Sequence, residues 1–219
     1  MAPTPLSSLG QSRSCKHAWP LALIQRNEVH TYTELDSPRT AISPARKYFG
    51  INQSIRYGTS TNILSTTAGI VDTGTALILI ATGKHLVLNQ MRCVRTNHTR
   101  ADGFKRYQSA TGAVLDTTTS LLRITSTQFD NLQSLFFTAG GATFTLTANA
   151  QIWPRALNTF IGGTSDRIYL IVNDIGTPSG AGLDFINGYT FLERFYSVFD
   201  STNNRVGFAT TPFTTATTN

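Results

Sequence analysis

The sequence predicts an all-β fold that carries only short helices. Residues that favour strands, such as Thr, Val, Ile, Phe and Tyr, are plentiful, and only 14% of the 219 residues are charged. Gly, Asn and Ser recur between short apolar runs and supply the turns. From Thr117 to the end, these runs recur roughly every ten residues, a spacing typical of all-β proteins.

The first clear strand ends at a predicted hairpin. Residues 45–56 alternate between two faces, and Gln53 shares one face with Ile51 and Ile55. Tyr57-Gly58-Thr59 then predicts the turn of a hairpin that leads into the next strand.

An aspartate stands between the next two apolar runs, within Val71-Asp72-Thr73-Gly74-Thr75. Burying a lone carboxylate is costly, so Asp72 in this setting needs specific partners. Gly74 allows a sharp turn, and the hydroxyls of Thr73 and Thr75 can hydrogen-bond the carboxylate. The alternative is an ordinary turn in which Asp72 only caps its own backbone.

Two stretches show no regular pattern. Residues 1–32 mix Pro, Ser and Arg without a hydrophobic period, so we expect them to be poorly ordered. Residues 82–101 hold four basic residues, no acid and no amphipathic face. Two hypotheses explain this insert: a genuine surface loop, which loop-closure entropy tolerates, or unspliced intron sequence read as protein. Both cysteines, Cys15 and Cys93, lie in these stretches; we interpret them as unmatched thiols, with a disulfide as the alternative.

After the insert, a short helix is predicted. Phe104, Tyr107 and Ala110 have helical spacing, Asp102 is the expected N-cap, and Gly112 is the expected C-terminal stop. The later predicted elements are a strand at 121–124, a helical turn at 128–132, a hairpin at 135–146 with Gly140-Gly141 at its tip, and strands at 148–154 and 168–172.

Charge and ligand spacing argue against several classes of function. The net charge is +6, but residues 1–32 contribute +2 and residues 82–101 contribute +4, so the rest sums to zero. We therefore predict no nucleic-acid partner. No His and Cys stand at ligand spacing, so no metal site is predicted. No apolar run reaches the roughly 18 residues of a membrane span, and we identify no secretory signal.

The tail of the chain points to a family. It reads Asp184-Phe185-Ile186-Asn187-Gly188-Tyr189-Thr190-Phe191-Leu192-Glu193-Arg194-Phe195-Tyr196-Ser197-Val198-Phe199-Asp200. Together with the Asp-Thr-Gly-Thr at residues 72–75, it resembles the C-terminal lobe of the pepsin-like aspartic proteases, including the fungal polyporopepsin type. The resemblance implies a barrel-like single lobe of a bilobal fold at residues 33–219. It leaves residues 1–32 and the insert unmatched.

The resemblance also implies roles for individual residues. Asp72 is then the catalytic carboxylate of this lobe, and Thr73, Gly74 and Thr75 hold its loop. Asp200, by contrast, is expected to be a turn residue.

Four further positions complete the expected site. Ile70 and Ala76 are expected to line the substrate side, with simple core packing as the equal alternative for Ile70. Gly188 ends the strand beneath the loop, and Asn187 stands where the family normally has an apolar residue. A buried amide needs partners, so Asn187 either supports the loop or weakens it.

The family mechanism needs two aspartates, one from each lobe, and no cofactor or metal. In this sequence only Asp72 is followed by Thr-Gly; the nearest other match, Asp116-Thr117-Thr118, lacks the glycine. We therefore expect one lobe of an aspartic endopeptidase that acts on peptide or protein substrates and is inactive alone. It needs the missing N-terminal lobe or a second copy. The alternatives are a homodimeric single-lobe protease and a non-enzymatic all-β binding module. The family implies secretion or an acidic vacuole, with no membrane partner.

Overall fold

The computed structural model of the protein describes residues 33–36, 48–82, 102–202 and 205–218. All of these residues belong to one unit, Thr31–Asn219. The predictions for residues 1–32, for residues 83–101 of the insert and for both cysteines lie outside the described residues.

The described residues form strands and a few short helices, which confirms the predicted fold class. In chain order the strands and α-helices are β1 (Thr33–Asp36), β2 (Phe49–Tyr57), β3 (Thr61–Val71), β4 (Ile78–Thr82), α1 (Gly103–Thr111), β5 (Val114–Asp116), β6 (Leu121–Ile124), α2 (Ser126–Asp130), β7 (Leu135–Ala139), β8 (Ala142–Leu146), β9 (Ile168–Tyr169), β10 (Val172–Pro178), β11 (Phe185–Asn187), α3 (Tyr189–Leu192), β12 (Phe195–Asp200) and β13 (Arg205–Thr210). Two 3-10 helices, Asn149–Gln151 and Arg155–Ile161, lie between β8 and β9.

The strands form one large sheet and two small ones. The large sheet has the order β10-β4-β11-β3-β2-β7-β8, and the small sheets have the orders β1-β13-β12 and β5-β6-β9. Within the large sheet, β11 runs parallel to β3 and antiparallel to β4. The chain therefore leaves β3, passes over one end of β11 and enters β4. This crossing places the predicted catalytic loop.

Both predicted hairpins are present. β2 pairs with β3 through a turn in which Gly58 has a φ of +59°, and β7 pairs with β8 through Gly140 and Gly141, which also have positive φ. Glycine adopts this left-handed backbone without strain. Tyr57 is buried, and its hydroxyl accepts a hydrogen bond from Gln133 N at 3.0 Å.

The predicted helix is α1, with both predicted caps. The Asp102 side chain accepts from Lys105 N at 3.0 Å, and Gly112 has a φ of +67°. Phe104 and Tyr107 are buried, and burial raises the pKa of Tyr107 well above its ordinary value.

One predicted strand is wrong. Residues 148–154 form the 3-10 turn Asn149–Gln151 and then a single bridge from Ile152 to Leu170. The fully buried amide of Gln151 donates to backbone carbonyls, including that of Gln133 at 2.8 Å. The segment's own backbone is bonded by the 3-10 turn, in which Gln151 N donates to Ala148 O at 3.1 Å and Ile152 N donates to Asn149 O at 3.4 Å, so these groups need no strand partner.

An aromatic cluster fills the interior between the large sheet and the strands β12 and β13. Phe191 lies 4.8 Å from Phe195 and 5.3 Å from Phe208 between ring centroids, and Phe144 lies 5.4 Å from Phe208. Pairs at these separations contribute about 0.5–1.5 kcal/mol beyond their buried area.

Candidate active site

The predicted catalytic loop joins two strands that are not neighbours in the sheet. β3 ends at Val71, β4 begins at Ile78, and β11 lies between them. The loop therefore crosses the carboxyl end of β11. There, Asp72 N donates to Asn187 O at 3.1 Å, which extends the pairing of β3 with β11 by one residue.

The loop folds back on the carboxylate of Asp72. Oδ1 accepts from Gly74 N at 3.0 Å, and Oδ2 accepts from the Thr75 hydroxyl at 2.7 Å. The Gly74 contact is the ordinary capping turn named as the alternative; the Thr75 contact goes beyond it. With one donor on each oxygen, the carboxylate plane is held in one orientation. Asp72 remains only partly buried, so a reactant can reach it.

The turn after β11 supports the loop from beneath. Tyr189 N donates to Thr75 O at 2.7 Å, and Thr190 N donates to Ala76 O at 3.0 Å. A methyl group built on Gly188 would overlap the carbonyl oxygen of Thr75. Only glycine permits this approach of two backbones.

The side chain of Asn187 pairs with Gln53 rather than with the loop. Gln53 Nε2 donates to Asn187 Oδ1 at 3.0 Å, and Asn187 Nδ2 donates to Gln53 Oε1 at 2.9 Å. Both residues are buried, with 1% and 0% of their surfaces exposed. Sequence reasoning missed Gln53 as a site residue. The signal was its position on the apolar face of a strand, between Ile51 and Ile55.

Two of the predicted residues differ in their exposure. Ile70 is only 4% exposed, so its side chain is buried within the chain, as the packing alternative expects. Ala76 is exposed beside the loop. Thr73 and Gly74 are also exposed and present the outer rim of the loop.

Asp184, which sequence reasoning left without a role, is a buried carboxylate at the start of β11. It is 2% exposed, and it accepts from the Thr67 hydroxyl and from Gly180 N, each at 2.6 Å. Its backbone N donates to Ala68 O at 2.9 Å. The bonds with Thr67 and Ala68 attach the beginning of β11 to β3, so the strand beneath the loop is anchored at both ends.

The other aspartates discussed from the sequence have local partners. Asp200 forms an ion pair with Arg205 at 2.9 Å across the β12–β13 turn. Asp116 accepts from Thr118 N at 2.9 Å, and this bond is the main cause that holds the pKa of Asp116 below its ordinary value.

Among the residues that the structure describes, no group of three or more His, Cys, Asp or Glu side chains could hold a metal ion. Within the same residues, no helix has the length and apolar character that crossing a membrane requires.

Comparison with known proteins identifies the family. The family described as eukaryotic aspartyl protease matches residues 30–211. The chain belongs to this family. Polyporopepsin from Irpex lacteus is 61% identical over 189 residues, which are 86% of this chain and 49% of that protein. Gastricsin from Cavia porcellus is 29% identical over 142 residues, 65% of this chain and 29% of that protein.

A solved structure shows the same fold. The crystal structure of an aspartic proteinase from Irpex lacteus is 60% identical in sequence and has a TM-score of 0.73. The match covers 87% of this chain and 50% of that one. The pepsin-like resemblance and the predicted fold are therefore confirmed, and the chain spans about half the length of these fungal aspartyl proteases.

Proposed function

We propose that the chain supplies one lobe of a pepsin-type aspartic endopeptidase, with Asp72 as one of its two catalytic carboxylates. The observation that carries this proposal is the position of Asp72. It lies on a loop over the end of β11, with a separate donor on each carboxylate oxygen, in a member of the aspartyl protease family.

The chemistry requires a second aspartate close to Asp72. Two carboxylates at short range cannot both ionise easily, so they share a proton. The ionised member takes a proton from a trapped water, which attacks the peptide carbonyl. The protonated member donates to the carbonyl oxygen, which gives a tetrahedral intermediate. The intermediate then collapses: the C–N bond breaks, the nitrogen leaves as an amine with the proton that the first carboxylate took from water, and the other product is a carboxylic acid. No metal or cofactor takes part.

The loop residues have positioning roles in this scheme. Thr75 and Gly74 orient the carboxylate, and Thr73 lies on the outer rim. Ala76 presents surface to the peptide substrate. Gly188 keeps the support beneath the loop close enough to bond it.

We infer that the second carboxylate comes from an N-terminal lobe or from a second copy of the chain. On this proposal the isolated monomer is inactive, because a single carboxylate in an open cleft has neither a proton-sharing partner nor a closed site. The substrates are peptides or proteins. By family, we expect the protein to work outside the cell or in an acidic vacuole.

Peptide cleavage tests the proposal. The chain is assayed at about pH 3–5, where a carboxylate pair holds one proton, alone and after addition of the N-terminal lobe of a related aspartyl protease. We expect cleavage only in the two-lobe mixture, and its loss on Asp72→Asn or with a transition-state-like aspartic protease inhibitor. Activity that rises with the square of chain concentration would identify the second copy as the partner. Cleavage that survives Asp72→Asn would overturn the proposal.

A further inference from the structure

The buried amides of Gln53 and Asn187 meet beneath the Asp72 loop across an intervening strand. Gln53 lies on β2, Asn187 lies on β11, and β3 separates these strands in the sheet. Each amide gives one hydrogen bond and receives one, at 3.0 and 2.9 Å. Neither side chain can rotate without leaving a buried donor and a buried acceptor unpaired, which is costly in an apolar interior.

The backbone of Asn187 links this amide pair to both ends of the loop. Its carbonyl oxygen accepts from Asp72 N at 3.1 Å. In register, Asn187 stands opposite Val71 at the end of β3 and opposite Ile78 at the start of β4. A displacement of the Asn187 backbone would therefore disturb its pairing with both strands that the loop joins.

We propose that Gln53 is a positioning residue for Asp72. It acts through Asn187: the reciprocal bond fixes the side chain of Asn187, and the fixed residue holds its carbonyl oxygen against the Asp72 amide. This inference rests on the proposed function for its catalytic meaning. The positioning itself can be measured as protection of the loop amides from hydrogen exchange, and this measurement does not require an active enzyme.

The rival explanation is that the amide pair only fills the interior. Both explanations expect Gln53→Leu to lower global stability, since the Asn187 amide loses its partner. They differ in where the damage appears. A positioning role concentrates it at the amides of Asp72 and Gly74, whereas a filling role spreads it over the lobe.

Gln151 offers a matched control. It is likewise a fully buried amide in the same lobe. Its partners are Tyr107 Oη at 3.0 Å and the carbonyl oxygens of Gln133, Leu146 and Thr147 at 2.8, 3.3 and 3.2 Å, none of which belongs to the Asp72 loop or to β11. Gln53→Leu and Gln151→Leu therefore remove the same group. Amide hydrogen exchange is measured in both, with denaturant adjusted so that their global stabilities match.

At matched stability, we expect exchange at the Asp72 amide to be about tenfold faster in Gln53→Leu than in Gln151→Leu, the size expected when a buried polar group loses its partner. In Gln53→Leu/Asn187→Leu no amide is left unpaired, so the acceleration should be smaller than the product of the two single effects. Equal exchange rates at Asp72 in Gln53→Leu and in Gln151→Leu would overturn the proposal. A double variant whose acceleration equals the product of the accelerations in Gln53→Leu and Asn187→Leu would overturn it as well.

A pH-dependent variant gives a second test if the leucine variants do not fold. In Gln53→Glu, a protonated carboxyl offers one donor and one acceptor, as the amide does, while an ionised carboxylate offers acceptors alone. Burial raises the pKa of such a carboxyl, so the comparison extends to alkaline pH. Relative to wild type at each pH, exchange at Asp72 should be normal in acid and about tenfold faster at the pH where the carboxyl is ionised. A ratio that stays constant with pH would contradict the inference. Failure of wild-type peptide cleavage would overturn only the proposed function.

Discussion

The aromatic cluster around Phe191 and the amide-lined interior beneath the Asp72 loop are both buried, but different forces hold them. In the cluster, Phe144, Phe191 and Phe208 make ring contacts with centroids 5.3–5.4 Å apart. Beneath the loop, the contacts are the directional bonds of Gln53 and Asn187. Apolar contacts vary smoothly with distance, whereas a buried hydrogen bond is either made or left unsatisfied.

The aromatic cluster therefore mainly determines the stability of the lobe, whereas the amide pair mainly determines the position of Asp72. A substitution in the aromatic cluster removes buried area and lowers the free energy of unfolding of the whole lobe. A substitution beneath the loop changes where Asp72 is held, at a smaller global cost.

The largest loss of stability is expected from Phe208→Ala. Phe208 is 1% exposed and contacts two other rings, so its removal should lower the free energy of unfolding by about 4 kcal/mol. Exchange at the Asp72 amide should not change at matched stability. Urea denaturation measures the first quantity and hydrogen exchange the second. Phe213→Ala, at a ring that is 55% exposed, should cost about 0.5 kcal/mol or less. A selective change at Asp72 in Phe208→Ala would show that the two regions are not separate.

A smaller loss with a larger geometric effect is expected from Gly188→Ala. The added methyl group overlaps the Thr75 carbonyl oxygen, so backbone must shift, at a cost of about 2–3 kcal/mol. The bond from Tyr189 N to Thr75 O should break, and a crystal structure of the variant would reveal the displaced loop. Gly141→Ala is the control. The new methyl group at residue 141 has open space around it. The only cost is the left-handed backbone, with φ of +82°, which should lower the free energy of unfolding by about 1 kcal/mol. An unmoved loop in Gly188→Ala would refute the account of Gly188.

Much of the fold follows from local patterns in the sequence. Asp102 and Gly112 bound α1 because capping depends on residues within one turn. Gly140-Gly141 mark a hairpin because few other residues adopt their backbone angles. The segment at 148–154 was misassigned because a short apolar run is compatible with strand and with helical turn. The buried Gln151 side chain bonds Tyr107 and Gln133, which are distant in sequence, as well as Leu146 and Thr147, which are near, and an apolar pattern shows none of these contacts.

The sequence predicts the carboxylate of the candidate site but not the side chains that support its loop. Asp72 and Gly188 belong to motifs, so a resemblance finds them. Gln53 and Asn187 are 134 residues apart, and only the insertion of β11 beside β3 brings them together. The local sign in the sequence was the polar side chain of Gln53 on the apolar face of β2. This position does not show which residue bonds it.

A more modest effect is expected from Thr75→Val. It removes the hydroxyl that donates to Asp72 Oδ2 at 2.7 Å, and the partly exposed site limits the cost to about 1 kcal/mol. Thr73→Val makes the same change at an exposed loop neighbour that does not bond the carboxylate, so we expect a smaller loss of stability there. In the two-lobe assay, Thr75→Val should lower kcat more than Thr73→Val does. Thr75→Ser, which keeps the hydroxyl, should restore it. Equal effects of the two valine variants would mean that the Thr75 contact does not orient the carboxylate.

The smallest effect concerns pH and has opposite signs at two carboxyl groups. Burial raises the pKa of Glu193, with Arg194 partly opposing it. The fold therefore favours the neutral acid. This contribution to stability is complete below the ordinary pKa of 4.5 and is lost as pH rises through the raised value. In wild type, the urea midpoint should therefore decline as pH rises above 4.5 through the raised pKa of Glu193. Glu193→Gln should make this decline smaller.

Asp116→Asn is the control of opposite sign. Its lowered pKa, caused mainly by Thr118 N, stabilises the fold above the ordinary value of 3.8, and this contribution is lost as pH falls through the lowered value. Removing Asp116 should therefore flatten the acid side of the profile, where Glu193 supports the fold. Urea midpoints measured across the acid range test both slopes. If both substitutions changed the slope in the same direction, burial could not be the dominant influence on Glu193.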